Sequence, residues 1–382
     1  MLFQMDIGYS QLNKKGEELC GDSIEVVHAP NSSIIVLADG LGSGVKANIL
    51  SRITAKTAAT MLKMGGQIDD VIETMIETLP VCRLRNIAYS TFSILQIFED
   101  GHAYLVEFDN PSAYWGYDES LLYLKRIQRQ VGDKIIKESR FEMGIGHWLV
   151  LLSDGVLHAG LGGFWNLGWG EEYVGNYLRT LAAGGYTTDE WAEKVTGMCN
   201  KFYCGEAGDD ASVIVVRLRK VRKLTALIGP PRNPADDIEA VKSLTSAEGV
   251  RVICGGTTSQ LAGRVMKREV QVNLMDMVSD KIPPTGQILG IDLVTEGAIT
   301  LYHTLQHLMG DHHNLENIKD GSGRLARALL MADEIHFIVG LAINPVVHNP
   351  DFPVPFALKH QTVRDIADTL VRLGKKITVK YY

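Results

Sequence analysis

The chain has 382 residues, 46% hydrophobic and 22% charged, an ordinary globular composition with enough apolar side chain for two cores. Its formal net charge of −7 argues against nucleic acid as the main partner, because phosphate backbones are bound by basic fields. No run approaches the roughly 20 uninterrupted apolar residues of a membrane helix, and the start, MLFQMDIGYSQ, lacks the basic and apolar regions of a secretory signal. The five cysteines (Cys20, Cys82, Cys199, Cys204, Cys254) are scattered and without CxxC spacing, which predicts free thiols and a cytoplasmic location.

In chain order, Ile34-Ile35-Val36-Leu37-Ala38 is a short branched apolar run that predicts a buried strand, stopping at Asp39-Gly40-Leu41-Gly42-Ser43-Gly44. Val45 to Met64 carries a helical pattern up to Gly65-Gly66, and Asp69 to Leu79 predicts a second helix closed by Pro80. Ser90 to Phe108 alternates around Glu99-Asp100-Gly101-His102, a hairpin signal. Trp148 to Leu152 predicts another buried strand, ending at Ser153-Asp154-Gly155. A helix is expected over Thr188 to Cys199 and a last strand over Ser212 to Leu218. After the basic segment Arg217 to Lys223 the pattern changes. Strands at 224–228, 250–254, 335–341 and 377–381 alternate with helices at 234–246, 258–267, 328–331 and 362–373. Such alternation implies parallel pairing. The expectation is two domains, residues 1–220 and 221–382, with α/β character overall and a mainly parallel sheet in the second.

Three Asp-containing turns adjoin buried runs of the first domain: Asp39-Gly40-Leu41-Gly42-Ser43-Gly44, Ser153-Asp154-Gly155, and Gly208-Asp209-Asp210-Ala211-Ser212-Val213. A fourth, Cys20-Gly21-Asp22-Ser23, precedes another apolar stretch. A carboxylate at the end of a buried strand is costly unless its charge is compensated, and several converging on one point repel one another. A divalent cation resolves that conflict, and oxygen-only ligation suits Mg2+ or Mn2+. Glycine allows close backbone approach, so the Gly40 carbonyl is a further candidate ligand. Taken singly, each Asp-Gly reads more readily as a plain turn than as a ligand site.

Taken in order, these elements resemble the metal-dependent protein phosphatases (the PPM family), and within them the bacterial branch typified by the phosphatase domain of stage II sporulation protein E. The residues that carry the resemblance are Cys20-Gly21-Asp22-Ser23, the Asp39 to Gly44 turn, Ser153-Asp154-Gly155, and Asp209-Asp210-Ala211-Ser212-Val213-Ile214-Val215-Val216. Tyr89-Ser90-Thr91-Phe92 followed by Asp109-Asn110-Pro111-Ser112 resembles the family's central hairpin and its Pro-containing turn. The resemblance implies an α/β/β/α sandwich, two antiparallel sheets flanked by helices, over residues 1–220. It implies that Asp39, Asp154 and Asp209 are metal ligands and catalytic through the water the metals activate. Asp39 would bridge two ions, with the Gly40 carbonyl on the second. Asp22 would support a metal or its water, and Asp210 would stand behind the ligands. The phosphate-holding Arg of the family's eukaryotic branch has no counterpart, since Lys14-Lys15-Gly16-Glu17-Glu18 occupies that stretch, and Gly21 replaces the acid of that branch's early acidic pair. Phosphate capture is therefore expected to fall mainly to the metals, with weak affinity for the second ion. His147, where relatives often have Asp, reads as turn variation.

The implied activity is hydrolysis of phosphoserine or phosphothreonine on a regulatory protein, such as an anti-anti-sigma-type domain. Water shared by two cations about 3.5–4 Å apart would attack in line, without a covalent intermediate. His102 and His158 are candidates for protonating the leaving group. Two other readings remain: a catalytically silent or partner-gated sensor on the same fold, and a hydrolase of small phosphate esters. The intact acidic set favours an active enzyme. The expected partner is the phosphorylated protein, with neither nucleic acid nor membrane; a homodimer is compatible with the sequence but not required by it.

In the second domain, Gly255-Gly256-Thr257-Thr258-Ser259 lies between a strand and a helix, as an anion-binding loop would. It reads more readily as an ordinary strand-to-helix turn with hydroxyl caps, and it is neither a P-loop nor GxGxxG. His303 and His307 are i,i+4 on an expected helix, with Asp311, His312 and His313 beyond, which suits a metal site or a polar helix face. This domain is expected to be regulatory, reading a ligand or a partner.

Overall fold

The computed structural model describes residues 3–78, 81–82, 87–88, 90–132, 134–163, 166–273, 285–310, 315, 317–342 and 359–382. Leu79, Pro80, Tyr89, Asp311, His312 and His313, and the side chain of Cys82, lie outside the described residues. The chain forms two compact units, Met1–Lys220 and Val221–Tyr382.

The first unit runs β1 (Gln4–Leu12), β2 (Asp22–Ala29), β3 (Ser32–Gly40), α1 (Gly44–Lys63), α2 (Ile68–Thr78), β4 (Val81–Cys82), β5 (Ile87–Ala88), β6 (Ser90–Phe98) and β7 (His102–Phe108). It continues with β8 (Tyr114–Tyr117), β9 (Ser120–Leu122), β10 (Ile127–Val131), β11 (Lys134–Glu142), β12 (His147–Leu152), α3 (Asp154–Leu157), α4 (Glu171–Ala183), α5 (Thr188–Phe202) and β13 (Ala211–Arg219). Among the described residues these strands make one sheet in the order β1-β13-β12-β8-β9 and another in the order β10-β11-β7-β6-β3-β2, with β4 and β5 pairing separately. Neighbouring strands in both large sheets are antiparallel.

The continuous apolar runs are explained by burial on both faces, with side chains alternating between them. Along β3, Ile34, Val36 and Ala38 pack with α1 and α2, whose Ala55, Ala58 and Ala59 let helix and sheet approach closely. Ile35 and Leu37 point the other way and meet Leu149 and Leu151 of β12 and Ile214 and Val216 of β13, so one core joins the two sheets. The opposite faces of β12 and β13 pack on α4 and α5 through Val150, Val213, Leu178 and Trp191. The result is the expected α/β/β/α sandwich. The sequence reading did not anticipate α4. Its buried face (Val174, Gly175, Leu178 and Leu181) is short and includes a glycine, and it begins at an uncapped Gly170, whereas α5 carries a full capping box between Thr187 and Glu190.

The second unit runs β14 (Lys223–Ile228), α6 (Asp237–Thr245), β15 (Val250–Cys254), α7 (Gly256–Met266), β16 (Gln271–Asn273), β17 (Thr285–Gln287) and β18 (Leu293–Thr295). It continues with α8 (Ala298–Met309), α9 (Gly321–Met331), β19 (Glu334–Val339), α10 (Lys359–Arg372) and β20 (Lys376–Tyr381). Among the described residues its sheet has the order β16-β17-β18-β15-β14-β19-β20. The five strands from β18 to β20 are parallel, and β16 and β17 add an antiparallel edge. The chain steps outward from β14 through β15 to β18, then crosses to β19 and β20 on the other side, a doubly wound topology whose switch point lies between β14 and β19. Helices α8, α9 and α10 cover one face and α6 and α7 the other. No helix among the described residues is long and apolar enough to cross a membrane.

Candidate active site

Backbone register brings the first pair of acids together. In the antiparallel pairing of β2 with β3, Asp22 stands opposite Asp39, and Asp39 stands opposite Thr91 of β6. The remaining acids come from the other sheet. Asp154 opens α3 directly after β12, and Asp209 and Asp210 directly precede β13, the neighbour of β12. Ser153 and Ser212 tie these ends together: the Ser153 N–H donates to the Ser212 carbonyl at 3.0 Å, and the Ser212 N–H donates to Ser153 Oγ at 2.8 Å. Behind Asp39, Ser90 Oγ donates to its carbonyl at 2.9 Å, and Asn110 braces β6 by accepting from Thr91 Oγ1 at 2.7 Å.

The five carboxylates therefore share one field. Burial, followed by the charges of Asp22, Asp154 and Asp209, pushes Asp39 up to about 9. Burial also pushes Asp22 up to about 6; the hydroxyls of Ser212 and Ser153 oppose this, and the charges of Asp210 and Asp154 add to it. Asp209 is raised by burial and by Asp154, with Lys14 acting against the shift. Desolvation and like charge are the two causes that hold a carboxylate in its neutral form, and both operate here.

Close approach dictates the glycines. A Cβ on Gly40 would enter the backbone of Ala47 in α1, and a Cβ on Gly155 would enter the Asp210 carbonyl. Gly21 has a different reason. A Cβ there would lie 2.8 Å from Asp210 Oδ2 and 3.2 Å from Ala47 Cβ, so the space an acid would need is already held by the Asp210 carboxylate.

Among the described residues no three His, Cys, Asp or Glu side chains stand in an arrangement that by itself cages a metal ion. The chemistry of the donors nevertheless fits a hard divalent cation: the set is oxygen only, and Asp22 Oδ2 and Asp210 Oδ2 are buried without a hydrogen-bond partner.

One basic residue stands at this site that the sequence reading passed over. The Lys14 N–H donates to Asp210 Oδ1 at 3.0 Å, and its Nζ lies 3.8 Å from Asp209 Oδ1. The loop that carries it is pinned on both sides: the Lys15 N–H donates to the Ala207 carbonyl at 2.8 Å, and Ser43 Oγ donates to Glu17 at 3.1 Å. A Lys-Lys pair just ahead of the Gly-Asp element was the available signal. The two histidine candidates separate. His158 Nδ1 lies 3.8 Å from Asp154 Oδ2. His102 is exposed at the β6–β7 turn, paired with Asp100 at 3.0 Å and near Glu142 at 3.6 Å. Because Ser32 of β3 pairs with Phe98 beside that turn, seven strand residues, roughly 23 Å, separate it from Asp39, and it is no proton donor there. His147 stacks on Trp115 with ring centroids 5.7 Å apart, a packing role.

Two antiparallel sheets thus lie between helix layers, with aspartates from both sheets gathered at one end, the fold that the resemblance to the metal-dependent protein phosphatases implies. The model of the stage II sporulation protein E (SpoIIE) family matches residues 29–219, half of the chain, and the chain belongs to that family. No curated protein sequence matches it. Similar solved structures include the PP2C phosphatase domain, with a fragment of the regulatory domain, of the cell fate determinant SpoIIE from Bacillus subtilis. The identity is 19%, the likeness covers 57% of this chain and 64% of that one, less than two thirds of its length, and the TM-score is 0.48. The RsbU and RsbW domains of a Mycobacterium tuberculosis protein are 13% identical, over 64% of this chain and 69% of that one, with a TM-score of 0.49. RsbX in complex with magnesium is 20% identical, over 56% of this chain and 99% of that one, with a TM-score of 0.40.

Proposed function

We propose that the first unit hydrolyses phosphoserine or phosphothreonine monoesters on a regulatory protein. The observation that carries this reading is the convergence of Asp22, Asp39, Asp154, Asp209 and Asp210 into one mutually repelling set, of which Asp22 and Asp210 are buried. Asp39, Asp154 and Asp209 would hold Mg2+ or Mn2+, as a pair of ions, together with the Gly40 carbonyl; Asp22 would support them and Asp210 would stand behind the ligands. When bound, such ions supply the positive charge that polarises a phosphoryl group and acidifies water. The chain's own groups do the rest. Lys14 offers an ammonium at the rim of the acidic set, suited to a phosphate oxygen, and His158 beside Asp154 can hand a proton to a leaving serine or threonine alkoxide. The hydroxyls of Ser212 and Ser153 favour the charged form of Asp22 against the burial that raises it. The intact acidic set favours an active enzyme over a silent sensor on the same fold.

We assign the second unit a regulatory role and the whole protein a cytoplasmic location, the latter because Cys20, Cys199, Cys204 and Cys254 are free thiols. The test is hydrolysis of para-nitrophenyl phosphate and of a phosphoserine peptide with Mn2+, Mg2+ or chelator, comparing the protein with Asp39→Ala. Metal-dependent turnover that prefers the peptide and disappears in the variant is expected. Turnover that survives chelation or the substitution contradicts the reading, and preference for the small ester would make the enzyme a small-ester hydrolase.

A further inference from the structure

The loop Gly255-Gly256-Thr257-Thr258-Ser259 is not used by the first unit's chemistry, and its surroundings are those of a binding site. Gly229, Gly255 and Gly297 follow the ends of three adjacent parallel strands, β14, β15 and β18. The ends are aligned by hydrogen bonds: the Gly229 N–H donates to the Cys254 carbonyl at 3.4 Å and the Gly255 N–H to the Thr295 carbonyl at 2.9 Å. A Cβ on Gly297 would lie 3.5 Å from the Gly255 Cα, so this edge is a shelf without side chains. Gly255 has φ +119, a conformation that favours glycine.

Helices α7 and α8 begin at this shelf from opposite faces of the sheet, each with a glycine N-cap that supplies no side-chain acceptor for its first N–H groups. Each carries a fully buried threonine in its first turn, and neither hydroxyl has a partner: Thr258 Oγ1 and Thr300 Oγ1 are both unsatisfied. The Thr258 hydroxyl is aimed at the shelf, 2.8 Å from where a Cβ of Gly255 would stand. Buried donors left open in this way, on two converging helices, ask for an acceptor. At one end of the shelf, Lys359 Nζ lies against Gly229 and donates to the Gly340 carbonyl at 2.9 Å, beside the switch point between β14 and β19. At the other, Glu296 follows β18 and keeps Oε2 buried and unpartnered, an open acceptor. Glu296 would repel a bare anion in contact with it, but it would accept from hydroxyls attached to one.

We propose that this edge of the second unit binds a phosphate ester of a sugar or nucleoside, its phosphate on the N–H ends of α7 and α8 with the hydroxyls of Thr258 and Thr300, and its sugar hydroxyls on Glu296. Lys359 adds a compensating positive charge. The ligand is thus a small phosphorylated metabolite, chemically distinct from the phosphoprotein acted on by the first unit.

The test is calorimetric titration of the full chain in chelator, which removes metal from the acidic set, with AMP, glucose 6-phosphate, adenosine and inorganic phosphate as probes. At least one ester is expected to bind with a Kd below about 1 mM, and adenosine not at all. Response to AMP alone assigns a nucleoside phosphate, and response to glucose 6-phosphate assigns a sugar phosphate. Thr258→Val and Thr300→Val each remove a hydroxyl that has no partner, so each should leave the melting temperature unchanged or higher while weakening ester binding at least tenfold. Glu296→Ala should weaken the ester and leave inorganic phosphate unaffected. Failure of both esters to bind overturns the proposal. So does binding that is unchanged in both valine variants, or a lowered melting temperature in them, which would make the hydroxyls structural.

Discussion

The strand ends of the two units are short of opposite charges. In the first, buried carboxylates accumulate: Asp22 and Asp210 each keep an oxygen without a donor, and Asp39 is pushed up to about 9 by burial and its neighbours. In the second, donors accumulate: two helices with glycine N-caps begin at the shelf, and the buried hydroxyls of Thr258 and Thr300 in their first turns have no partner, with Glu296 Oε2 an open acceptor beside them. Native interiors leave few buried polar atoms unpaired, so the sign of an unpaired set indicates the sign of what it is built to hold. The first unit calls for a cation, the second for an anion, although both sites lie at the ends of buried apolar strands.

The largest effect that would break this contrast is at Asp154. Asp154→Asn keeps the shape and removes the charge, so turnover should fall by at least about 100-fold with the melting temperature within a few degrees of the parent. Loss of folding in circular dichroism would instead make the aspartate structural. A smaller effect sharpens the account of Gly21. Gly21→Asp introduces an acid beside Asp22, but its side chain must displace Asp210 from the space it occupies. Destabilisation of about 1–3 kcal/mol is expected in a denaturant titration, and a variant as stable as the parent would show that Asp210 is free to move. The smallest concerns Lys14. Its pairing with Asp209 is half-exposed, so Lys14→Gln should raise KM for a phosphopeptide about 2- to 5-fold with kcat little changed, and Lys14→Arg should restore it. An equal fall in kcat would move Lys14 from holding substrate to shaping the acidic set.

The same contrast explains what could be read in advance. Strands β3, β12 and β13 were legible because both faces are buried, which leaves unbroken branched runs such as Ile34 to Ala38. Strands β1 and β2 were not, because most of their positions are only half-buried and carry no unbroken branched apolar run, as in Gln4-Met5-Asp6-Ile7-Gly8-Tyr9. Helix α4 was missed for want of a cap and an unbroken apolar face. The acids Asp39 and Asp154 were visible as turns after buried strands, but their convergence depends on register between strands far apart in the chain. Lys14 could not be placed from the sequence at all, since its position is fixed by an aspartate 196 residues away. In the second unit, Gly255 to Ser259 was visible as a loop, but its unpaired hydroxyl emerges only from packing against the shelf.

The claim on which the account turns is that the aspartates of the first unit form a cation site. Calorimetric titration of Mn2+ into the metal-stripped protein and into Asp39→Ala measures it without relying on any substrate. The account predicts binding to the parent protein and affinity at least about tenfold weaker in the variant. No heat of binding in the parent, or identical isotherms for the two proteins, would contradict it.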